Sequence, residues 1–116
     1  MKIGNKEYGF KLTVGASMQI AKLCPEGDLA RIAEAVGTKY DQQADVMAKM
    51  IEALSNGYAA AEEFEGRQAN RISYAEVLSL SPAAFTELSA EAFRVFGVDV
   101  KGEIEVETEK KAAVEG

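Results

Sequence analysis

The chain opens with Met1-Lys-Ile-Gly-Asn-Lys-Glu-Tyr-Gly-Phe-Lys-Leu12, followed by Thr13-Val-Gly-Ala-Ser-Met-Gln-Ile-Ala-Lys-Leu23. The first block alternates large apolar and polar residues about a Gly4-Asn5 break. Those two residues can supply the positive φ angles of a tight hairpin. Tyr8, Phe10 and Leu12 fall on one face at period two, with Gly9 and Lys11 on the other. The second block changes period. Thr13 is placed to cap a helix, Val14, Met18 and Ala21 share one face, and Ala16, Ile20 and Leu23 share an adjacent one. That wide stripe predicts a helix central to the core, stopped at Cys24-Pro25. A hairpin is marginal alone in water, so this one must pack its apolar face on helices or pair its edge with another chain.

The remainder reads as helices. Asp28 caps a short one with Leu29, Ile32, Ala33 and Val36 inward and Gly37 as its stop. From Asp41, Val46 or Met47, Met50, Ile51, Leu54, Tyr58, Ala61 and Phe64 keep three-and-four spacing. The phase holds across Asn56-Gly57, two poor helix formers that would otherwise mark a break. One continuous helix from Asp41 to Phe64 is therefore predicted, on the order of 36 Å long. Glu65 to Arg71 is a polar loop with Gly66 as a stop. Ser73 caps a helix through Leu80 that buries Tyr74, Val77 and Leu78. Ser81-Pro82 restarts another, with Phe85, Leu88, Ala92, Phe93 and Phe96 on one face and Gly97 as its terminus. The predicted architecture is mainly α (α+β): a single domain over 1–97 with an N-terminal β-hairpin packed on a compact bundle of about five helices. Residues 98–116 are predicted to be strand-like and then a flexible acidic tail. In that tail Val98, Val100, Ile104 and Val106 alternate with charged residues. Such a strand has three fates: pairing with the hairpin, adding to a neighbouring subunit's edge, or staying mobile until a partner orders it.

Composition limits function. The chain has 116 residues, a net charge of −6, no histidine, no tryptophan and one cysteine. Its acidity argues against nucleic acid, which requires clustered Lys and Arg. No stretch approaches a membrane span. Lys2 is followed by no apolar run, so the expected location is cytoplasmic. Without histidine no Ser/His/Asp or Cys/His arrangement exists, and Cys24 lacks an activating base. Glu62, Glu63 and Glu65 read as a solvated helix surface rather than acid/base machinery. Asp41 and Asp45 stand four apart without the companions of a metal site. No phosphate loop appears. No catalytic residue, cofactor or metal is expected, and the chain reads as a binding module rather than an enzyme. The residues best placed for a partner are Met47, Met50, Tyr58 and Phe64 on the long helix and Val98, Val100, Ile104 and Val106 in the tail. The alternative reading of the methionines is gap-filling core. Wide apolar stripes and open strand edges also point to self-association.

The opening block carries a resemblance. Ile3-Gly4-Asn5-Lys6, Tyr8, Phe10-Lys11 and the helix through Leu23 resemble the start of small tail assembly chaperones of long-tailed bacteriophages and prophages. The helix ending Tyr58-Ala59-Ala60-Ala61-Glu62 and the later Ser73/Pro82 helix pair resemble that family's order of elements. The resemblance spans roughly residues 1 to 97. It implies a non-enzymatic protein that binds the tape-measure protein, keeps it soluble while tail-tube protein polymerises around it, and is absent from the finished virion. The competing reading is a structural head–tail connector or tail-completion protein.

Overall fold

A computed structural model describes residues 1–97. In chain order the elements are β1 (Lys2–Ile3), β2 (Lys6–Glu7), α1 (Val14–Ala21), two 3₁₀ turns (Pro25–Gly27 and Leu29–Arg31), α2 (Ile32–Val36), α3 (Tyr40–Phe64) and α4 (Tyr74–Leu78), followed by a helix, α5, over 82–97. The mainly helical architecture with an N-terminal antiparallel hairpin is as the sequence predicts. The predicted strand-like segment and tail lie outside the described residues.

The hairpin is shorter than its alternation suggests. Lys2 pairs with Glu7 and Ile3 with Lys6, and only Gly4 takes a positive φ, at 60°. Tyr8 still exchanges backbone hydrogen bonds with Met1, at 2.8 Å and 2.6 Å, while the outer side of β2 meets the loop after α3. Tyr8 forms a parallel bridge with Asn70, whose side-chain amide donates to the Glu7 carbonyl at 3.0 Å. From there the chain runs extended along α3 rather than along a strand. Its predicted face is nonetheless the buried one: Tyr8 and Leu12 enter the core and Phe10 packs against it.

α3 is the axis of the molecule and is unbroken through Asn56-Gly57, as its phase predicts. It buries Met47, Met50, Ile51 and Leu54 among others, and α1, α2 and α4 all pack on it. Two close approaches explain its two least typical interior residues. Ser55 is fully buried, and its Oγ accepts the Ile72 N–H at 2.9 Å, anchoring the segment that returns from the loop. Gly57 lies under the start of α1. A Cβ there would sit 2.5 Å from the Lys11 carbonyl oxygen, while the Lys11 N–H donates to the Leu54 carbonyl at 3.1 Å. The last turn runs beyond the core and closes in a Schellman arrangement. Arg67 N–H donates to Glu62 O at 2.9 Å and Gly66 N–H to Glu63 O at 3.0 Å, with Gly66 at φ 82°.

The caps follow the sequence. Thr13 Oγ1 accepts the Ala16 N–H at 3.1 Å, Asp28 accepts that of Ala30 at 3.0 Å, and Ser81 that of Ala84 at 3.2 Å. Ser73 and Glu76 form a reciprocal capping box that starts α4. The carbonyls of Ala35 and Gly37, at the end of α2, accept the side-chain amides of Gln42 and Gln43 from the first turn of α3.

Three predicted faces are corrected. α1 is not central: Ala16 and Ile20 are buried, but Val14 and Met18 are 80% and 60% exposed. An eight-residue helix lying on one side of α3 can bury only one of its two candidate stripes. Ala33 is exposed because α2 is a short helix that buries Ile32 and turns Ala35 and Val36 against the core, leaving Ala33 on the outer side. α4 ends at Leu78 rather than Leu80, and with Val77 turned inward its sequence neighbour Leu78 is left half exposed.

α4 is also tied to α3 by polar bonds. The Tyr74 hydroxyl donates to Asp45 Oδ1 at 2.6 Å, its backbone N–H to Glu52 Oε2 at 2.6 Å, and Lys49 Nζ to Asp45 Oδ2 at 3.0 Å. The Tyr74 hydrogen bond and then Lys49 hold the Asp45 carboxyl below its ordinary range, and the same bond raises the Tyr74 phenol. A depressed carboxyl stabilises the fold above its unfolded value, and that contribution is lost as pH falls through the folded value. A raised phenol stabilises below its unfolded value and loses that contribution as pH rises through the folded one. The contact is therefore complete between roughly pH 5 and 9. Asp45→Asn keeps an acceptor for Tyr74 but removes the charge. It is expected to cost about 1 kcal/mol at neutral pH, since the carboxylate is partly solvated. Denaturant unfolding at pH 7 and pH 3 should show that gap shrinking in acid. An equal gap at both pH values would contradict the assignment.

Candidate functional site

The residues singled out from the sequence fall in three places. Met47 and Met50 are inside the core, 6% and 0% exposed, which is the gap-filling alternative and removes them from the accessible surface. Tyr58 is half-buried with its ring against Gly9, a position where any Cβ would overlap the ring. Phe64, by contrast, is 90% exposed at the end of α3. Val98, Val100, Ile104 and Val106 lie outside the described residues.

The titratable groups form ion pairs rather than a convergent site. Glu62 pairs with Arg67 and Glu63 with Arg71, both on the surface. Asp45 is committed to Tyr74 and Lys49, and Asp41 accepts the backbone N–H of Gln42. Cys24 is buried, its thiol donating to the Ile20 carbonyl at 3.4 Å. Burial, then the nearby Asp28 charge, pushes that thiol up, away from thiolate character. Among the described residues no group of three or more His, Cys, Asp or Glu is arranged to hold a metal ion, and no helix is long and apolar enough to cross a membrane.

What the surface does present is apolar. Val14 and Met18 stand one turn apart on α1, Phe64 caps α3, and Tyr40 and Leu78 are 69% and 50% exposed. Tyr40 and Leu78 are not isolated. With Ala44, Val77, Leu80, Pro82 and Phe85 they line a groove of about 180 Å³ where the start of α3 meets α4 and α5. Every side chain on this list is apolar or aromatic, and Leu80 and Pro82 come from the corner between α4 and α5. The groove is smaller than the roughly 300–1,000 Å³ of sites that enclose whole small molecules, so it suits inserted side chains of a larger partner. A wider depression beside the hairpin, of about 500 Å³, is lined by Glu7, Gln68, Asn70 and Tyr58 among others and is of mixed polarity.

Sequence reasoning missed Tyr40 and Leu78. A signal was present for each. Tyr40 precedes the first buried position of α3 by more than a turn, and Val77-Leu78 are adjacent, so a single inward helix face cannot take both. In comparisons with known proteins, no family model, no curated protein and no solved structure matches this chain.

Proposed function

We propose that this chain is a non-enzymatic tail assembly chaperone of the long-tailed phage type. It holds the tape-measure protein soluble in the host cytoplasm until tail-tube subunits enclose it. The observation that carries the reading is the opening unit: a two-residue hairpin turn at Gly4-Asn5, a core-bound Tyr8-to-Leu12 run, and a Thr13-capped helix. This is the part of the chain on which the family resemblance rests. The exposed apolar residues support it physically. A tape-measure protein exposes long apolar helical surface before the tube forms, and such surface aggregates unless covered. A small acidic module with apolar side chains on several faces can cover it and keep the complex soluble.

The test is co-expression with a tape-measure protein encoded beside this chain's gene. The expected result is a several-fold rise in soluble tape-measure protein, with this chain co-purifying from the lysate and missing from finished particles. A tape-measure protein equally insoluble with and without the chain would overturn the proposal. Recovery of the chain in purified particles would replace it with the connector or tail-completion reading.

A further inference from the structure

Asn56-Gly57 is a close-packed step of α3 and also a reactive pair. The chain has three asparagines, and only Asn56 is followed by glycine; Lys6 and Arg71 follow the other two. Glycine leaves the main-chain nitrogen of residue 57 unshielded, because no Cβ stands beside it. That nitrogen can attack the side-chain amide of the asparagine before it. The N–Cγ bond forms, the Cγ–Nδ2 bond breaks, and ammonia leaves carrying the proton of the Gly57 nitrogen. Water then opens the five-membered imide. Opening at Cγ gives aspartate. Opening at the main-chain carbonyl gives isoaspartate, whose backbone runs through Cβ.

The fold blocks the first step. Asn56 and Gly57 lie inside α3, where the helical backbone holds the Gly57 nitrogen out of line with Cγ and its N–H on the Ala53 carbonyl. Arg71 Nη1 donates to the Asn56 carbonyl at 3.3 Å and reaches its Oδ1 at 3.5 Å. Yet both residues are poor helix formers, so this is the least helix-prone step of α3. The Lys11–Ala16 segment lies on top of it. The Lys11 N–H donates to the Leu54 carbonyl at 3.1 Å, and a Cβ at 57 would stand 2.5 Å from the Lys11 carbonyl oxygen and 3.2 Å from the Ala16 Cβ. The Asn56 side chain is exposed, so water is at hand whenever the step unwinds.

We propose that Asn56 is a conditional modification site: α1 seated on α3 keeps it asparagine, and lifting of α1 commits it to aspartate and isoaspartate. The two products behave differently. Aspartate keeps the main chain and sets a carboxylate beside Arg71. Isoaspartate lengthens the main chain, moves Gly57 out from under Lys11 and prevents α1 from reseating. The site thus marks chains that have stayed open, whatever they bind.

The full-length chain is aged at one mildly alkaline pH and temperature, in buffer and in guanidinium chloride. Conversion is read by mass spectrometry on the tryptic peptide spanning 50–67, with isoaspartate scored by enzymatic methylation. In denaturant Asn56 should convert ahead of Asn5 and Asn70. In buffer it should convert at least about a hundredfold more slowly, because reaction waits on opening. Ile20→Ala removes the fully buried anchor of α1 and should speed conversion in buffer at least about tenfold. Leu88→Ala loosens α5 with α1 still seated and should leave the rate within about twofold. Where Ile20→Ala does not fold, Thr13→Ala, which removes the α1 cap, stands in with an expected rise of about fivefold. After ageing in denaturant and refolding, isoaspartate should collect in the chains that stay protease-sensitive, while Asn56→Asp refolds as the parent does. Equal rates in buffer and denaturant would overturn the proposal. So would an α1 variant that leaves the rate unchanged, or a Leu88→Ala rate raised as far as that of the α1 variant, which makes global unfolding the gate. Isoaspartate found equally in the native fraction, or an Asn56→Asp chain that fails to refold, would overturn the assignment of the two products.

Discussion

Gly57→Val is expected to destabilise the fold by about 3 kcal/mol, although it replaces the residue least suited to a helix interior after proline. The position is decided by its neighbours. A Cβ on residue 57 would stand 2.5 Å from the Lys11 carbonyl oxygen, 2.9 Å from Thr13 Oγ1 and 3.2 Å from the Ala16 Cβ. The first of these is backbone and cannot rotate aside. Accommodating valine requires lifting the Lys11–Thr13 segment off α3, which stretches the Lys11 N–H bond to Leu54 and disturbs the Thr13 cap of α1. Overpacking costs roughly 1–3 kcal/mol and a lost hydrogen bond about 1, whereas valine gains only a few tenths over glycine in helix propensity. Gly15→Ala is the paired control. Its added Cβ would meet only Thr13 Oγ1, at 3.9 Å, so propensity should prevail and stability should rise by about 0.5 kcal/mol. Urea denaturation of both variants checks the pair, with opposite signs expected. A neutral or stabilising Gly57→Val would mean that α1 does not sit on α3 as closely as the structure has it.

This pair also marks where the sequence was legible. The continuity of α3 could be read from Met50, Ile51, Leu54 and Tyr58, because a strict three-and-four phase survives only in an unbroken helix. The reason glycine stands at 57 could not, because the atom that forbids a side chain belongs to Lys11, far away in the chain. The caps at Thr13, Asp28, Ser73 and Ser81 were legible since they are local chemistry between residues two or three apart. The seating of β2's outer side on the loop after α3 was not, since Asn70 lies far from Glu7 and Tyr8 in the chain. Which of two stripes α1 buries was equally illegible. Val14/Met18 and Ala16/Ile20 are both apolar enough to face a core, and the choice belongs to the small-residue surface that α3 offers at Ala53 and Gly57. The groove follows the same rule. Its residues come from three helices, and only their docking angles bring Tyr40 beside Leu78 and Phe85.

Leu88→Ala is the substitution that tests whether α5 belongs to the same cooperative unit as α3. Leu88 and Ala92 are fully buried and Phe96 is 4% exposed, all within the one core cluster that contains Met50, Ile51 and Leu54. Phe93 and Phe96 stack edge-to-face at 6.3 Å, with Phe93 partly in solvent. Truncating a fully buried leucine removes its transfer free energy and leaves a cavity, at a cost of about 3 kcal/mol. α5 is held by fewer polar ties to the rest of the fold than α4. Its Glu91–Arg94 pair lies within the helix itself, so apolar contact is what fixes it in place. Two outcomes then separate cleanly. If α5 is integral, Leu88→Ala lowers the single unfolding transition by about 3 kcal/mol with an unchanged denaturant slope. If it docks as an independent unit, the main transition stays where it was and the slope falls, because less surface remains to be exposed. The second outcome would also dismantle the α3–α4–α5 groove, since Pro82 and Phe85 would no longer be held against Tyr40 and Leu78.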